Sequence, residues 1–238
     1  MVSTPINIPA IVMCYKRLDE LQLVVDSLIN AGASKIYFHL HPTIPESEIT
    51  DQIKAYIDSL IIDKELLYSE EPLGCRKSFF TSLKFIAEKE NKFLFIEDDI
   101  VLNEDIKDLK DNLDSLDGIL KFGPKSEVQG VFWGWALDKK SALKILETDL
   151  FELSYNETKE LWENEIHYKG TMELLRRKKV FAWDDEVGMI IKHCNIPVKT
   201  MESIVENIGN VSTREGDIPD GNPQGDSYVI YENGILIN

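Results

Sequence analysis

The stretch Phe93-Leu94-Phe95-Ile96-Glu97-Asp98-Asp99-Ile100 contains an uninterrupted apolar run that is followed directly by acidic residues. Consecutive apolar residues of this kind predict a short strand that is buried on both faces, as is typical of a strand inside a parallel sheet. Ligands of open parallel sheets bind just beyond the carboxyl ends of the strands. This one stretch therefore predicts both the fold class and the position of a functional site.

The sequence before this stretch alternates between strand-length apolar runs and helical patterns. Residues 8–14 and 36–40 are apolar runs, and apolar residues recur at helical spacing after each of them. Gly32 marks the end of the first of these helices, and a third helical pattern follows Pro72. The order β-α-β-α-(β)-α-β predicts an α/β fold in which a mostly parallel central sheet is flanked by helices.

The sequence beyond the acidic stretch is less regular. We expect a strand within residues 131–137, a charged helix over 156–179 and an apolar helix face over 187–194. Residues 206–227 are rich in Gly, Asn, Asp and Pro and predict a long flexible loop or lid. The Asn233-Gly234 pair between two short apolar runs predicts a hairpin with a type I′ turn.

Charge and composition exclude several classes of partner. The chain of 238 residues carries 26 Lys and Arg against 42 Asp and Glu, a net charge of −16. This charge disfavours nucleic acids, whose phosphates require Lys and Arg, and it disfavours anionic membrane surfaces. The three cysteines form no CxxC pair, and residues 1–9 do not resemble a signal peptide. We therefore expect a cytoplasmic protein without an integral membrane segment.

The acidic residues after the apolar run indicate a cation site. Adjacent carboxylates at a strand end repel one another unless a cation lies between them. Oxygen ligands suit a hard divalent ion such as Mn²⁺ or Mg²⁺, and phosphates and water then complete its coordination. The alternative is a turn whose acidic residues cap a helix predicted near residues 103–116.

The Glu97-Asp98-Asp99 motif resembles the DxD-type motif of GT-A glycosyltransferases, which belong to the nucleotide-diphospho-sugar transferase superfamily. Its Glu-Asp-Asp form is most similar to that of the N-acetylglucosaminyltransferase I-like branch and related bacterial enzymes. The resemblance implies a single GT-A-like Rossmann-type domain, with a nucleotide-binding half over residues 1–102 and an acceptor-binding half over 103–238. It also implies that Asp99 binds the metal, and that Glu97 and Asp98 contact the donor.

Residues 12–17, at the end of the first predicted strand, are similar to the family's turn that carries the base and ribose. This similarity implies that Arg17 binds the donor and that Tyr15 stacks on the base. The alternative for Arg17 is a solvated residue at a helix start. The second strand ends in His39-Leu40-His41-Pro42 instead of the family's acidic ending, and we expect these histidines to be structural because no third metal ligand is evident.

Residues 72–78 precede the third predicted helix and resemble the family's Asn-x-Gly segment, although Asn itself is missing. Arg76 and Lys77 lie at the start of that helix. A helix N-terminus with two cations is a favourable neighbour for a diphosphate, which is the role that the resemblance implies. The alternative is that both cations are solvated first-turn residues.

Two later segments resemble the acceptor side of these enzymes. Residues 132–137 are similar to the family's aromatic segment, which implies that Trp135 lines the site; the alternative is a tryptophan in the core. Residues 183–185 resemble a Trp-Asp-Asp segment that supplies the general base, which implies Asp184 with Asp185 as the alternative. Asp184 as a plain helix N-cap is a further alternative.

With this resemblance, the sequence indicates a metal-dependent inverting glycosyltransferase of polysaccharide biosynthesis. It would move a sugar from a nucleotide-diphospho-sugar, with UDP as the expected nucleotide, to a hydroxyl of a glycan or glycolipid acceptor. One alternative is a sugar-phosphate nucleotidyltransferase, which usually has a Gly-rich loop after the first strand that residues 15–19 lack. The other is a non-catalytic carbohydrate- or Ca²⁺-binding module. Residues 205–212 resemble a late family segment, from which we expect a lid over the donor.

Overall fold

The structure is a computed structural model that describes residues 5–42, 48–73, 75–103, 107–122, 134–148, 183–201, 204–208, 230–232 and 235–237. Trp133, the charged segment 156–179 and residues 209–227 of the predicted lid lie outside the described residues.

The described helices and strands follow the predicted alternation through the first hundred residues. The helices are α1 Leu18–Ala31, α2 Glu48–Ser59, α3 Cys75–Lys89, α4 Lys107–Asp114, α5 Lys139–Glu147 and α6 Trp183–His193. The strands are β1 Ala10–Cys14, β2 Ile36–Leu40, β3 Lys64–Tyr68, β4 Lys92–Glu97, β5 Ile100–Leu102, β6 Ile119–Phe122, β7 Gly134–Asp138, β8 Val198–Met201, β9 Val205–Asn207, β10 Ile230–Glu232 and β11 Ile235–Ile237.

A central sheet of seven strands has the order β3-β2-β1-β4-β7-β6-β8. Strands β3, β2, β1 and β4 are parallel, and β8 is parallel to β6. Only β7 runs against both of its neighbours within this sheet. The predicted α/β fold with a mostly parallel central sheet is therefore confirmed.

Helices cover both faces of this sheet, because its strands alternate apolar residues between two separate cores. Helices α1, α2 and α4 pack on one face, against residues such as Val12 and Ile96. Helices α3, α5 and α6 pack on the other, against residues such as Phe95 and Trp135. The result is a sheet buried between two helical layers, with its strand ends left as the places where polar residues reach the surface.

Helix α1 shows how the sequence specifies one of these layers. Leu21, Val24 and Leu28 are fully buried and form its sheet-facing stripe. The helix ends at Gly32, whose φ of +78° is the left-handed conformation that glycine adopts without steric cost. A Cβ at this position would lie 2.3 Å from the Cβ of Pro5, so the close approach of the chain also requires glycine.

A small second sheet lies directly after the acidic residues. Strand β5 pairs antiparallel with β9, and the amide of Asn103 donates to the carbonyl of Ile204 at 2.8 Å. Residues 206–207, expected in a flexible loop, belong to β9. The helix predicted near residues 103–116 corresponds to α4, which covers Lys107–Asp114.

Strands β10 and β11 form an antiparallel hairpin in which Glu232 lies opposite Ile235. This register leaves two residues for the connection, which confirms the predicted hairpin; the turn residues Asn233 and Gly234 lie outside the described part. Among the described residues, no helix combines the length and apolar character that crossing a membrane requires.

Candidate functional site

Asp98 and Asp99 form the tight turn between β4 and β5, at the carboxyl edge of the central sheet. Both residues are only 6% exposed. A strand follows the turn, so the acidic residues do not cap a helix and the helix-capping alternative is wrong. The apolar run and the short turn together hold two carboxyl groups in a buried position beside the end of β1.

The turn after β1 closes over this pair of carboxyl groups. The backbone amide of Tyr15 donates to Asp98 Oδ2 at 2.9 Å. Arg17 Nη1 donates to Asp98 Oδ1 at 3.2 Å and also to Asp99 Oδ2. The structure thus brings together four of the residues that the sequence analysis selected for donor and metal binding, across more than 80 positions of sequence.

Burial governs the electrostatics of this acid pair. It raises the pKa of Asp98 to about 7; the Arg17 guanidinium opposes that shift, and the neighbouring Asp99 adds to it. Burial also raises the pKa of Asp99, again against the effect of Arg17. For both carboxyl groups, the effect of burial on the pKa therefore outweighs that of the Arg17 guanidinium.

Asp99 Oδ1 is the atom that tests whether a cation fits. It is buried and has no hydrogen-bond partner, an arrangement that costs free energy unless a ligand satisfies it. No group of three or more His, Cys, Asp or Glu side chains is close enough to hold a metal ion within the described segments. A hard divalent cation fits such a site when phosphate oxygens and water supply the remaining ligands, as Mg²⁺ sites with one or two carboxylates do.

Glu97, the third acidic residue, is the last residue of β4 and lies opposite Met13 of β1. Its neighbour Ile96 packs in the core beneath α1. Successive strand residues point to opposite faces, so Glu97 lies on the α3 face of the sheet. Its predicted contact with a donor stays a prediction.

Tyr15 and His41 form an aromatic pair at the same edge, where β1 and β2 end. Their ring centroids lie 4.9 Å apart with an interplanar angle of 34°. His41 is 4% exposed, and the amide of Leu73 lies 3.3 Å from its Nδ1 and donates to it in the tautomer that protonates Nε2. Burial lowers the pKa of His41, which keeps the ring neutral at pH 7. Sequence reasoning did not assign His41 to the site, because its contact with Tyr15 joins two different strands.

His39 belongs to the protein interior. Its Nδ1 lies 2.6 Å from Ser82 Oγ in α3, and its Nε2 lies 3.0 Å from Ser69 Oγ. The side chain is fully buried, and burial lowers its pKa to about 4. His39 therefore joins β2 to α3 as a neutral hydrogen-bonding residue, in agreement with the expected structural role.

Arg76 and Lys77 fall in the first turn of α3, which begins at Cys75. Lys77 is exposed. Tyr68 ends β3 in parallel with Leu40, the last residue of β2, so the chain leaves β3 at the carboxyl edge before it enters α3. Both cations therefore follow the same sheet edge that carries the acid pair, and their predicted role toward a diphosphate remains untested.

Trp135 lies in the core rather than on the surface of a site. It is 1% exposed and stacks on Phe79 of α3, with ring centroids 5.7 Å apart and an interplanar angle of 20°. Phe95 of β4 packs against it edge-on at 5.9 Å. The structure therefore corrects the expectation that Trp135 lines the site, and it favours the alternative of a core tryptophan.

Asp184 and Asp185 lie in the first turn of α6, because that helix begins at Trp183. Asp184 is thus inside the helix and is not its N-cap. The chain after α6 reaches the amino end of the sheet, where the amide of Ile119 donates to the carbonyl of Pro197. An 11-residue helix is about 16 Å long, so the first turn lies well away from that end.

Strand β9 contributes a contact that the sequence did not indicate. The amide of Ile208, directly after β9, donates to the carbonyl of Asp99 at 2.9 Å. This bond attaches the backbone of the acid pair to the segment after β9. Residues 209–227 of the predicted lid therefore follow directly on a segment that is attached to Asp99.

No family model matches this chain, and no curated protein sequence matches it either. The fold does have relatives among solved structures. A protein described as a glucose-1-phosphate thymidylyltransferase from Bacillus anthracis superposes with a TM-score of 0.53 at 10% identity, over 90% of this chain and 98% of the other. A 4-diphosphocytidyl-2C-methyl-D-erythritol synthase from Anaerococcus prevotii gives a TM-score of 0.50 at 14% identity, over 82% and 88%. These similarities show a shared fold.

Proposed function

We propose that this chain is a transferase that binds a nucleotide or nucleotide-diphospho-sugar through a divalent cation at Asp98 and Asp99. One observation carries the proposal: two buried carboxyl groups meet at the carboxyl edge of the sheet, and Asp99 Oδ1 lacks a hydrogen-bond donor. Asp99 is the proposed metal ligand, with Mg²⁺ or Mn²⁺ as the metal. Carboxylate oxygens that are left with incomplete coordination suit an ion whose other ligands come from phosphates.

The strand order supports a position for the rest of the nucleotide. Strands β4, β1 and β2 are neighbours, so the ends of β4 and β2 are about 10 Å apart at the usual strand spacing. This distance is comparable to the distance from the phosphates to the base in a nucleotide. We therefore place the phosphates at the acid pair and the base against Tyr15, whose ring is supported by His41.

The chain's own residues would orient the substrate and compensate its charge. Arg17 lies within hydrogen-bond distance of the acid pair and would contact phosphate oxygens that bind there. Arg76 and Lys77, at the N-terminus of α3, would bind further phosphate oxygens. A divalent cation, when bound, would offset the negative charge that develops on the phosphates. Glu97 and the halves 1–102 and 103–238 keep their expected donor and acceptor roles as part of this proposal.

The first candidate reaction is sugar-phosphate nucleotidyl transfer. An oxygen of a sugar phosphate would attack the α-phosphorus of a nucleoside triphosphate, and the bond to the β-phosphate would break with release of pyrophosphate. One of the two solved structures reported above is a thymidylyltransferase by its description, which supports this candidate.

The second candidate reaction is inverting glycosyl transfer. The turn between β1 and α1 has only three residues, Tyr15-Lys16-Arg17, and contains no glycine. A loop of this length offers few backbone amides for a triphosphate, which favours a diphosphate ligand. Asp184 or Asp185 would remove the proton of an acceptor hydroxyl, whose oxygen would attack the anomeric carbon as the nucleoside diphosphate leaves.

Two assays on the same protein preparation distinguish these reactions. The first supplies nucleoside triphosphates and sugar 1-phosphates with Mg²⁺ and measures pyrophosphate; the second supplies nucleotide-sugars with Mn²⁺ and measures released nucleoside diphosphate. Asp99→Asn should abolish whichever signal the wild-type protein gives. If no nucleotide stabilises the wild-type protein in the presence of either metal, the proposed function is wrong.

A further inference from the structure

We propose that Arg17 is an internal counter-ion that makes divalent-cation binding at the acid pair depend on the nucleotide phosphate. The inference rests on the function proposed above, and it adds an order of events to it. In the metal-free protein Arg17 neutralises part of the acid pair. When a phosphate arrives, the guanidinium moves from Asp99 to the phosphate, and the released carboxylate oxygen binds the cation.

Hydrogen bonds satisfy three of the four carboxyl oxygens of the acid pair. Asp98 Oδ2 accepts from the amide of Tyr15, and Asp98 Oδ1 accepts from Arg17. Asp99 Oδ2 accepts from the same guanidinium nitrogen. Only Asp99 Oδ1 has no donor. A cation that arrives alone therefore finds one available oxygen beside a positive charge.

Charge balance favours the phosphate-dependent order. When both carboxyl groups are ionised, the acid pair and the one guanidinium carry a net charge of −1, and the guanidinium side chain is only 13% exposed. A divalent ion without phosphate would have to approach the Arg17 guanidinium closely, in a place where water only weakly screens the repulsion between the two positive charges. A diphosphate supplies both new ligands for the ion and a strong bidentate partner for the guanidinium.

The local geometry allows Arg17 to move without loss of a helix cap. Arg17 occupies the N-cap position of α1, but its side chain makes no capping hydrogen bond there. Asp98 stays held by the amide of Tyr15 when the guanidinium leaves. The exchange therefore removes one hydrogen bond from each carboxylate, while the bond from the Tyr15 amide continues to hold Asp98 in the turn.

The test is a titration of the wild-type protein and of Arg17→Gln with Mn²⁺ alone. Calorimetry, or electron paramagnetic resonance of the free ion, measures the binding. The wild-type protein should bind Mn²⁺ weakly, and inorganic pyrophosphate or UDP should raise that affinity by about tenfold or more, a usual range for coupled ligands. Arg17→Gln should bind Mn²⁺ alone about tenfold more tightly than the wild-type protein, with most of the coupling lost. Arg17→Lys should lie between them.

The controls separate this inference from the proposed function. Lys84→Gln, which removes one exposed positive charge from α3, should leave Mn²⁺ binding unchanged. Circular dichroism verifies that each variant is folded, and Arg17→Lys provides the comparison if Arg17→Gln is not. If the wild-type protein binds Mn²⁺ with UDP but neither Arg17 variant gains affinity for Mn²⁺ alone, the counter-ion role is wrong and the proposed function stands. If neither pyrophosphate nor any nucleoside diphosphate or triphosphate promotes Mn²⁺ binding to the wild-type protein, both are wrong.

Discussion

At the scale of single residues, Asp98 and Asp99 are adjacent in sequence but differ in their partners. Asp98 receives hydrogen bonds on both oxygens, from the Tyr15 amide and from Arg17. Asp99 receives a side-chain hydrogen bond on one oxygen and leaves the other without a partner. This difference supports a structural part for Asp98 in holding the turn together, and a ligand-binding part for Asp99.

We predict that Asp99→Asn abolishes the stabilisation of the protein by nucleotide plus Mn²⁺. A ligand at a concentration 100 times its Kd stabilises a folded protein by about 2.7 kcal/mol, and the substitution should remove that contribution. Differential scanning fluorimetry with and without both ligands measures the effect. The same stabilisation in Asp99→Asn as in the wild-type protein would contradict the assignment of Asp99 as the metal ligand.

His39 gives a prediction for the pH dependence of stability. Its pKa is about 4 in the folded protein and near 6.5 when unfolded, because burial disfavours the charged ring. Between pH 6.5 and 4 the unfolded chain takes up a proton that the folded chain does not. The free energy of unfolding should therefore decrease as the pH falls through this window, by roughly 3 kcal/mol from this residue at full extent.

Urea denaturation at several pH values tests the His39 prediction against two variants. His39→Gln should show a shallower loss of stability between pH 6.5 and 4 than the wild-type protein. His193→Gln, at the partly exposed end of α6, serves as the matched histidine substitution. Parallel pH profiles for the wild-type protein and His39→Gln would show that His39 does not control this window.

At the scale of elements, Gly32 decides how α1 ends and where the chain before β1 lies. Replacement by Ala places a Cβ on a residue with a φ of +78° and against Pro5. The left-handed conformation alone costs a non-glycine residue about 1–2 kcal/mol, and the contact adds to it. We predict that Gly32→Ala lowers the free energy of unfolding by at least that amount in urea denaturation. Ser34→Ala, at an exposed neighbouring position, should change it by less than about 0.5 kcal/mol.

The elements also show how much the sequence could predict. Helix α1 and strand β4 were predicted because a long periodic stripe and a continuous apolar run are local signals. Strands β5 and β9 were missed because each has three residues, too few for a period, and each exists only through its pairing with the other. The burial of Trp135 was not predicted because both faces of this sheet are buried. In such a sheet, strand alternation does not distinguish side chains in the core from side chains on the surface.

The site was predictable to the extent that its residues follow strand ends. The acid pair and the turn that contains Tyr15 and Arg17 were selected from sequence. The structure joins them through hydrogen bonds between residues that are 81 to 83 positions apart in the sequence. The bond from Ile208 to the Asp99 carbonyl and the contact of Tyr15 with His41 were not selected. Such contacts depend on which strands are neighbours, and local sequence patterns do not identify those neighbours.

At the scale of the whole molecule, the sheet separates the packed core from the proposed binding site. Its middle is packed between two helical layers, whereas its carboxyl edge carries the acid pair and the Tyr15–His41 pair. The net charge of −16 does not prevent the binding of an anionic nucleotide there, because Arg17 and a divalent cation would lie between the acidic residues and the phosphates.

This separation gives a paired prediction for two aromatic substitutions. Trp135→Ala removes a fully buried ring and should lower the free energy of unfolding by about 3–5 kcal/mol, while the molecules that remain folded keep their affinity for nucleotide. Tyr15→Ala removes a partly exposed ring at the sheet edge and should weaken nucleotide binding by about 1–3 kcal/mol, the usual effect of losing a base-stacking side chain. Its effect on stability should be smaller than that of Trp135→Ala. On each variant, urea denaturation measures the free energy of unfolding, and calorimetric titration with UDP and Mn²⁺ measures the affinity for nucleotide. If Trp135→Ala weakened nucleotide binding and Tyr15→Ala mainly lowered stability, the proposed binding site at the sheet edge would be wrong.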